Sequence, residues 1–290
     1  MTIQNIKYLV FSGGGIRGIG YAKIPLILQE QNILTELKGV AGTSAGSIIS
    51  GLIALKFPPQ QIYDIVTTMD YNKFKDDSYG IILDLYRLGT KYGWNKGDYF
   101  QEWYDKLLED HTNIKNITLK QAYELSGIEL TVISTCWDTS SPTYFNYKNH
   151  PDLPVSVAIR MSMSYPFFFV PHEYEGKLFV DGGMTNNYPI ELFPHEEVLG
   201  FKLLSDSQKM EEGRLTSANL PRSLISFTTN LISIMLTTVE NSNVSTDYWN
   251  KTVFIDTGDI SSMNFDITTE QQNWLIENGE KSLLKYLNDN

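Results

Sequence analysis

The segment that most constrains this chain lies between Gly39 and Leu55. A short apolar strand ending at Ala41 runs through Gly42-Thr43-Ser44-Ala45-Gly46 into an apolar helical stretch, Ser47 to Leu55, that stops before Pro58 and Pro59. A serine on so sharp a strand-to-helix turn tolerates only small residues two positions to either side, and glycine fills both. The hydroxyl then stands at the carboxyl end of a strand, where open α/β sheets hold their ligands. The first-turn amides of the helix face the same place. The arrangement demands a parallel strand with a helix packed on it.

The rest of the chain agrees with that demand. Ile6 to Phe11, Glu129 to Cys136, Thr143 to Tyr147, Leu178 to Val180, Glu197 to Leu203 and Thr252 to Ile255 read as strands. Helical patterns cover Ile16 to Gln31, Gly97 to Leu108, Leu119 to Leu125, Val155 to Met163 and Thr269 to Leu287. This alternation predicts an α/β fold of three layers, α/β/α, with a mostly parallel central sheet. A length of 290 residues fits one domain, with a motif-bearing core over about 6–203 and a C-terminal helical region, about 204–290, packed on it. Ser205 to Ala218, rich in Ser, Glu and Lys, reads as a surface loop.

Charge and cysteine content narrow the function classes. Lys and Arg number 23 against 34 Asp and Glu, a net charge of −11, so no nucleic-acid partner is expected. The same balance repels anionic membranes on average. The lone Cys136 permits no internal disulfide and no cysteine-rich metal site, and the expectation is no metal and no cofactor. No signal peptide or transmembrane segment is recognised, and the expected location is the cytoplasm, peripheral to membranes at most. Leu224 to Val239 is too short and too polar to span a bilayer and reads as a core or lid helix. Tyr79 to Leu83 is a second lid candidate. Asn-x-Ser/Thr triplets at Asn116, Asn243 and Asn250 read as chance occurrences.

Two further strand ends carry chemistry. Ser12-Gly13-Gly14-Gly15-Ile16-Arg17-Gly18 formally matches a dinucleotide fingerprint through Gly13, Gly15 and Gly18. The acidic residue that should follow the second strand is missing, because that strand runs into Gly42 and Ser44 while Glu36 precedes it. A Walker loop is excluded by Ile19 where lysine is required. Glycine-opened amides bind an oxyanion equally well, and an elbow serine nearby favours that use. Arg17 has two readings, holding a lipid phosphate or anchoring the loop to a carbonyl. Asp181-Gly182-Gly183 follows the strand Leu178 to Val180, so that Asp181 is a candidate general base at a strand end. Of the histidines His111, His150, His172 and His195, only His195 falls after Asp181 as a hydrolase triad would require. It sits in a polar connection, and His172 reads as an exposed loop residue. A two-residue Ser–Asp mechanism is therefore preferred.

These three motifs, in this order, resemble the patatin-like phospholipase family, bacterial-type members in particular. Ser164 to Pro171 is similar to the proline-aromatic segment before the family's aspartate, Asn186-Asn187-Tyr188-Pro189 to the segment after it, and Phe265-Asp266-Ile267 to the family's C-terminal end. Ser12 stands where plant members often carry aspartate. The resemblance implies a lipid acyl hydrolase with Ser44 as nucleophile and Asp181 as proton acceptor. The oxyanion hole would come from the glycine loop, Gly13, Gly14 and Gly15, with Ala45. Arg17, Gly18, Gly42, Gly46, Gly182 and Gly183 would support the motifs. A phospholipid or other lipid ester would be the substrate, met at a membrane surface, with an activating partner or a homo-oligomer left open. The alternatives are a general carboxylesterase or thioesterase, or a catalytically silent lipid-binding protein. Phe167, Phe168 and Phe169 would line the acyl entrance or belong to the core.

Overall fold

The computed structural model of the chain describes residues 5–75, 90–205 and 245–290. The strands are β1 Tyr8–Phe11, β2 Gly39–Thr43, β3 Gly93–Asn95, β4 Glu129–Cys136, β5 Ser141–Phe145, β6 Phe167–Phe169, β7 His172–Tyr174, β8 Lys177–Asp181, β9 Val198–Leu204 and β10 Thr252–Asp256. The α-helices are α1 Ile24–Glu30, α2 Ala45–Ala54, α3 Pro59–Thr68, α4 Asp98–Thr112, α5 Leu119–Ser126, α6 Val155–Ser162, α7 Gly183–Asn186, α8 Thr246–Trp249 and α9 Thr269–Asp289. Two expected lid segments, Tyr79 to Leu83 and Leu224 to Val239, lie outside the described residues. So do Asn243 and Val244 of the triplet at Asn243, and all of the Ser205 to Ala218 loop but its first residue.

One sheet runs in the order β10-β9-β1-β2-β4-β8-β7, with β5 on the other edge of β4. From β10 to β4 every pairing is parallel, whereas β5, β8 and the β7–β8 hairpin are antiparallel. Side chains alternate across it with period two. Leu9, Phe11, Val40, Leu130, Val132, Leu199, Phe201, Val253 and Ile255 enter the larger core. Val10, Ala41, Ile133 and Val198 enter a smaller one on the opposite face. Helix α2 covers the first face, its Ile49, Leu52 and Ile53 buried. The second face is closed by Tyr188, Ile190 of a short 3-10 turn at Ile190–Leu192, and Phe193, with Tyr248 and Trp249 of α8 against them. The fold is thus the expected three-layer α/β/α arrangement with a mostly parallel sheet.

Three local departures have physical causes. The stretch Ile16 to Gln31 is not one helix: a 3-10 turn, Gly15–Tyr21, is followed by α1, with Pro25 in its first turn. Glycines at 18 and 20 and a proline that cannot donate a helical hydrogen bond break it there. Phe167 to Phe169 forms β6, which pairs with β3 in a separate two-stranded ribbon. The C-terminal region contributes β10 to the sheet as well as α9. That last helix passes so close to the Gly15–Tyr21 turn that a β-carbon at Gly279 would stand 1.9 Å from the Gly20 carbonyl oxygen.

Candidate active site

The long strand β4 brings the site together. One of its edges holds β5 over Val132 to Cys136. Its opposite edge is shared: β2 pairs over Glu129 to Ile133, then β8 over Ser134 to Cys136. Because β8 runs antiparallel, its last residue comes first, so Asp181 lies opposite Ser134 while Thr43 lies opposite Ile133. The ends of β2 and β8 therefore abut, and Ser44 and Asp181 meet where they do.

Ser44 occupies the tight turn with φ 51° and ψ −125°, a strained backbone for any residue but glycine. The turn is closed by glycines for steric reasons. A β-carbon at Gly46 would stand 2.3 Å from the Phe11 carbonyl oxygen, and one at Gly42 would stand 2.4 Å from that of Gly46. Gly13 lies against the elbow, the position of its missing β-carbon being 3.2 Å from Ser44 Cβ. Gly182 packs as tightly, 2.2 Å from the Ile133 oxygen by the same measure. The glycine loop is tied down around it. Leu203 donates its amide to Ser12 Oγ at 3.1 Å, and Ile16 N–H donates to the Ser262 carbonyl at 2.9 Å. Arg17 Nε donates to the Gly14 carbonyl at 3.1 Å, which is the anchoring role.

Gly14, Gly15 and Ala45 line the same cleft as Ser44 and Asp181, and their amides donate to no described residue. Gly13 departs from the expected oxyanion set. Its N–H is already spent on the Asn187 carbonyl at 3.1 Å, and it does not line the cleft. The cavity measures about 100 Å³, polar around Ser44, Arg17, Asn187 and Ser262 and apolar around Ile48, Met69, Phe74, Phe169 and Phe265. Of the three phenylalanines, Phe169 lines it, Phe168 stacks on Phe265 with centroids 4.8 Å apart, and Phe167 points outward, 40% exposed.

Asp181 is 3% exposed. Its Oδ1 accepts the Gly183 amide at 2.8 Å, and its Oδ2 is buried with no hydrogen-bond partner among the described residues. Burial raises its pKa from 3.8 to about 6, partly offset by the Ser44 hydroxyl and the Gly183 amide, which favour the charged form. The hydroxyl is thus near enough to act on the carboxylate but does not complete a hydrogen bond to Oδ2.

The histidines lie elsewhere. His195 precedes β9, and β9 and β2 both run in register with β1, so it sits at the end of the sheet opposite Ser44, bonded to the Asp247 carbonyl at 3.0 Å. His111 stacks on Phe57, and His150 contacts Asn149. His172 is no exposed loop residue. It lies half-buried on β7, and burial with the nearby Arg160 charge pushes its pKa down to about 4.

A model of the patatin-like phospholipases matches residues 9–194. The chain belongs to the patatin-like phospholipase family. It is 31% identical over 287 residues to the uncharacterized protein R571 of Acanthamoeba polyphaga mimivirus, covering 97% of this chain and 93% of that one. It is 30% identical over 196 residues to a probable lipid hydrolase, 463L, of invertebrate iridescent virus 6, covering 64% and 62%. Among solved structures it is similar to VipD from Legionella pneumophila, with a TM-score of 0.66 and 21% identity over 98% of this chain and 67% of that one. That likeness is one of fold. Within this patatin-like fold, sequence reasoning did not single out Arg160 or Ser162. Arg160 is 2% exposed and donates to the Gly97 and Val170 carbonyls at 3.2 and 2.9 Å and to Ser164 Oγ at 2.6 Å. A charged residue within the apolar pattern of α6 is the signal that would have found it.

Proposed function

We propose that this chain is a lipid acyl hydrolase of phospholipase A type, acting through a Ser44–Asp181 dyad and an acyl-serine intermediate. Membership of the patatin-like phospholipase family supports lipid hydrolysis as the activity. The observation that carries the dyad is the buried, unpartnered Oδ2 of Asp181 in the cleft that also holds Ser44 and the undonated amides of Gly14, Gly15 and Ala45.

Ser44 Oγ attacks the acyl carbon as its proton passes to Asp181. The carbonyl oxygen gathers negative charge, which the three amides and the N-terminus of α2 stabilise. Collapse expels the alcohol, which takes the proton from Asp181. Water then attacks the acyl-serine, giving its proton to Asp181, and the fatty acid leaves as Ser44 recovers its hydrogen. An aspartate near pKa 6 is about nine-tenths ionised at pH 7 and a far better base than one at 3.8.

The test is incubation with mixed phospholipids and mass analysis of the products. Wild type should release fatty acids and lysolipids, and folded Ser44→Ala should release neither. Retained hydrolysis in that variant refutes the nucleophile assignment. The 100 Å³ cavity is small against the ~300–1,000 Å³ of common ligand pockets and favours a second reading, a carboxylesterase for short acyl esters. Turnover of short esters without any attack on phospholipid would select it.

A further inference from the structure

One hydroxyl beneath the site joins the elbow to β4. Ser162, the last residue of α6, is fully buried. Its Oγ accepts the N–H of Ser44 at 2.9 Å and donates to the carbonyl of Ile133 on β4. Its own carbonyl accepts the amide of Gly182 at 3.2 Å, and two residues on, the Ser164 carbonyl accepts the amide of Asp181 at 2.9 Å. Ser164 is held in turn by the buried Arg160 guanidinium. The same short segment therefore grips the elbow through a side chain and the aspartate turn through its backbone.

The elbow amide needs such a partner. As the residue before the first turn of α2, Ser44 has no helical carbonyl to donate to. The N–H is buried, and there an unmade hydrogen bond is costly. Only a group that both donates and accepts can join this amide to the Ile133 carbonyl, and a hydroxyl does so.

We propose that Ser162 is a positioning residue for the hydrolytic reaction: its hydroxyl fixes the strained Ser44 backbone against β4 and so sets the distance from Ser44 Oγ to Asp181. This rests on the Ser44–Asp181 reading given above. Ser162 touches neither substrate nor reacting atoms, and it acts through Ser44. Released from it, the elbow relaxes and the nucleophile drifts from its base. Small misplacements of reacting groups cost up to about 100-fold in rate.

The experiment compares Ser162→Ala, Ser162→Cys and Ser162→Thr with wild type and Ser44→Ala, using hydrolysis of a p-nitrophenyl acyl ester across pH, with circular dichroism to establish folding. Ala and Cys remove the strong hydrogen bond, Cys at nearly constant volume, whereas Thr retains the hydroxyl. The expected result is a kcat about tenfold or more below wild type for Ala and Cys, KM little changed, and recovery in Thr. A second readout separates positioning from general loosening. The Ser44 hydroxyl favours ionised Asp181, so moving it away shifts the acidic limb of kcat/KM to higher pH in Ala and Cys. Folded Ala or Cys variants with wild-type kcat overturn the proposal, as does a lowered kcat with an unmoved acidic limb. In either case an inactive Ser44→Ala leaves the dyad standing. Retained turnover in Ser44→Ala overturns the dyad and this proposal together.

Discussion

Replacing Asp181 by asparagine should abolish ester hydrolysis and at the same time make the protein more stable. Burial raises this carboxyl from 3.8 to about 6, so at neutral pH the folded chain carries an ionised group that it holds less comfortably than the unfolded chain does. At about 1.4 kcal/mol per pH unit, the cost is about 3 kcal/mol once both states are ionised. The sign follows from the raised value. Below pH 3.8 the group is protonated in both states and costs nothing; between 3.8 and 6 the unfolded chain ionises first and stability is lost; above 6 the loss is complete. Asparagine keeps an oxygen for the Gly183 amide and places its NH₂ in the position of Oδ2, which now has no partner. Urea melts of wild type and Asp181→Asn should therefore differ by about 3 kcal/mol at pH 8 in favour of the variant, with most of that difference gone at pH 4. In parallel, wild-type kcat/KM should fall on the acid side with an apparent pKa near 6. An advantage that is absent, or the same at both pH values, would refute burial as the source of the raised acidity.

Two other outcomes follow from the site. Gly46→Ala should destabilise the fold by about 3 kcal/mol in denaturant melts, because the new methyl would meet the Phe11 and Ser12 carbonyl oxygens at 2.3 and 2.6 Å. A melt within error of wild type would mean that the elbow opens without cost. His195→Ala should leave kcat/KM within about twofold of wild type across pH, since the ring bonds to Asp247 at the far end of the sheet; a large loss would restore a triad.

Much of the site was legible because its motifs are local. The Gly42 to Gly46 run announces a turn with no room for side chains, and each of the three motifs follows an apolar strand. Sequence could not show that β4 lends one edge to two strands in succession, since pairing partners depend on residues about 90 and 45 positions away. Gly13 shows a finer limit. The composition of a glycine loop tells how many amides are accessible, and only the fold reveals that Asn187 has taken one of them. Ser162 was invisible for a related reason. A serine at the end of an apolar helix is an ordinary helix residue until its hydroxyl is seen between Ser44 and Ile133. His172 misled because Pro171 and Glu173 suggest a turn, whereas pairing with Phe179 makes the segment a strand.

The missing histidine and the unpartnered carboxyl oxygen have one explanation on the dyad reading. A triad uses an imidazole because its pKa already lies near neutrality, and an exposed aspartate would be too weak a base. Enclosing the aspartate under Tyr165 and the elbow brings a carboxyl to about 6, close to the imidazole range, without a third residue. A strong hydrogen bond to Oδ2 from any group besides the Ser44 hydroxyl would undo this by favouring the charged form and returning the acidity toward 3.8. On this reading the burial of the carboxylate, at a stability cost of about 3 kcal/mol, takes the place of the histidine. A variant that supplies a new donor to Oδ2 should gain stability at pH 8 and lose activity near neutrality, and gain in both would break the link between them.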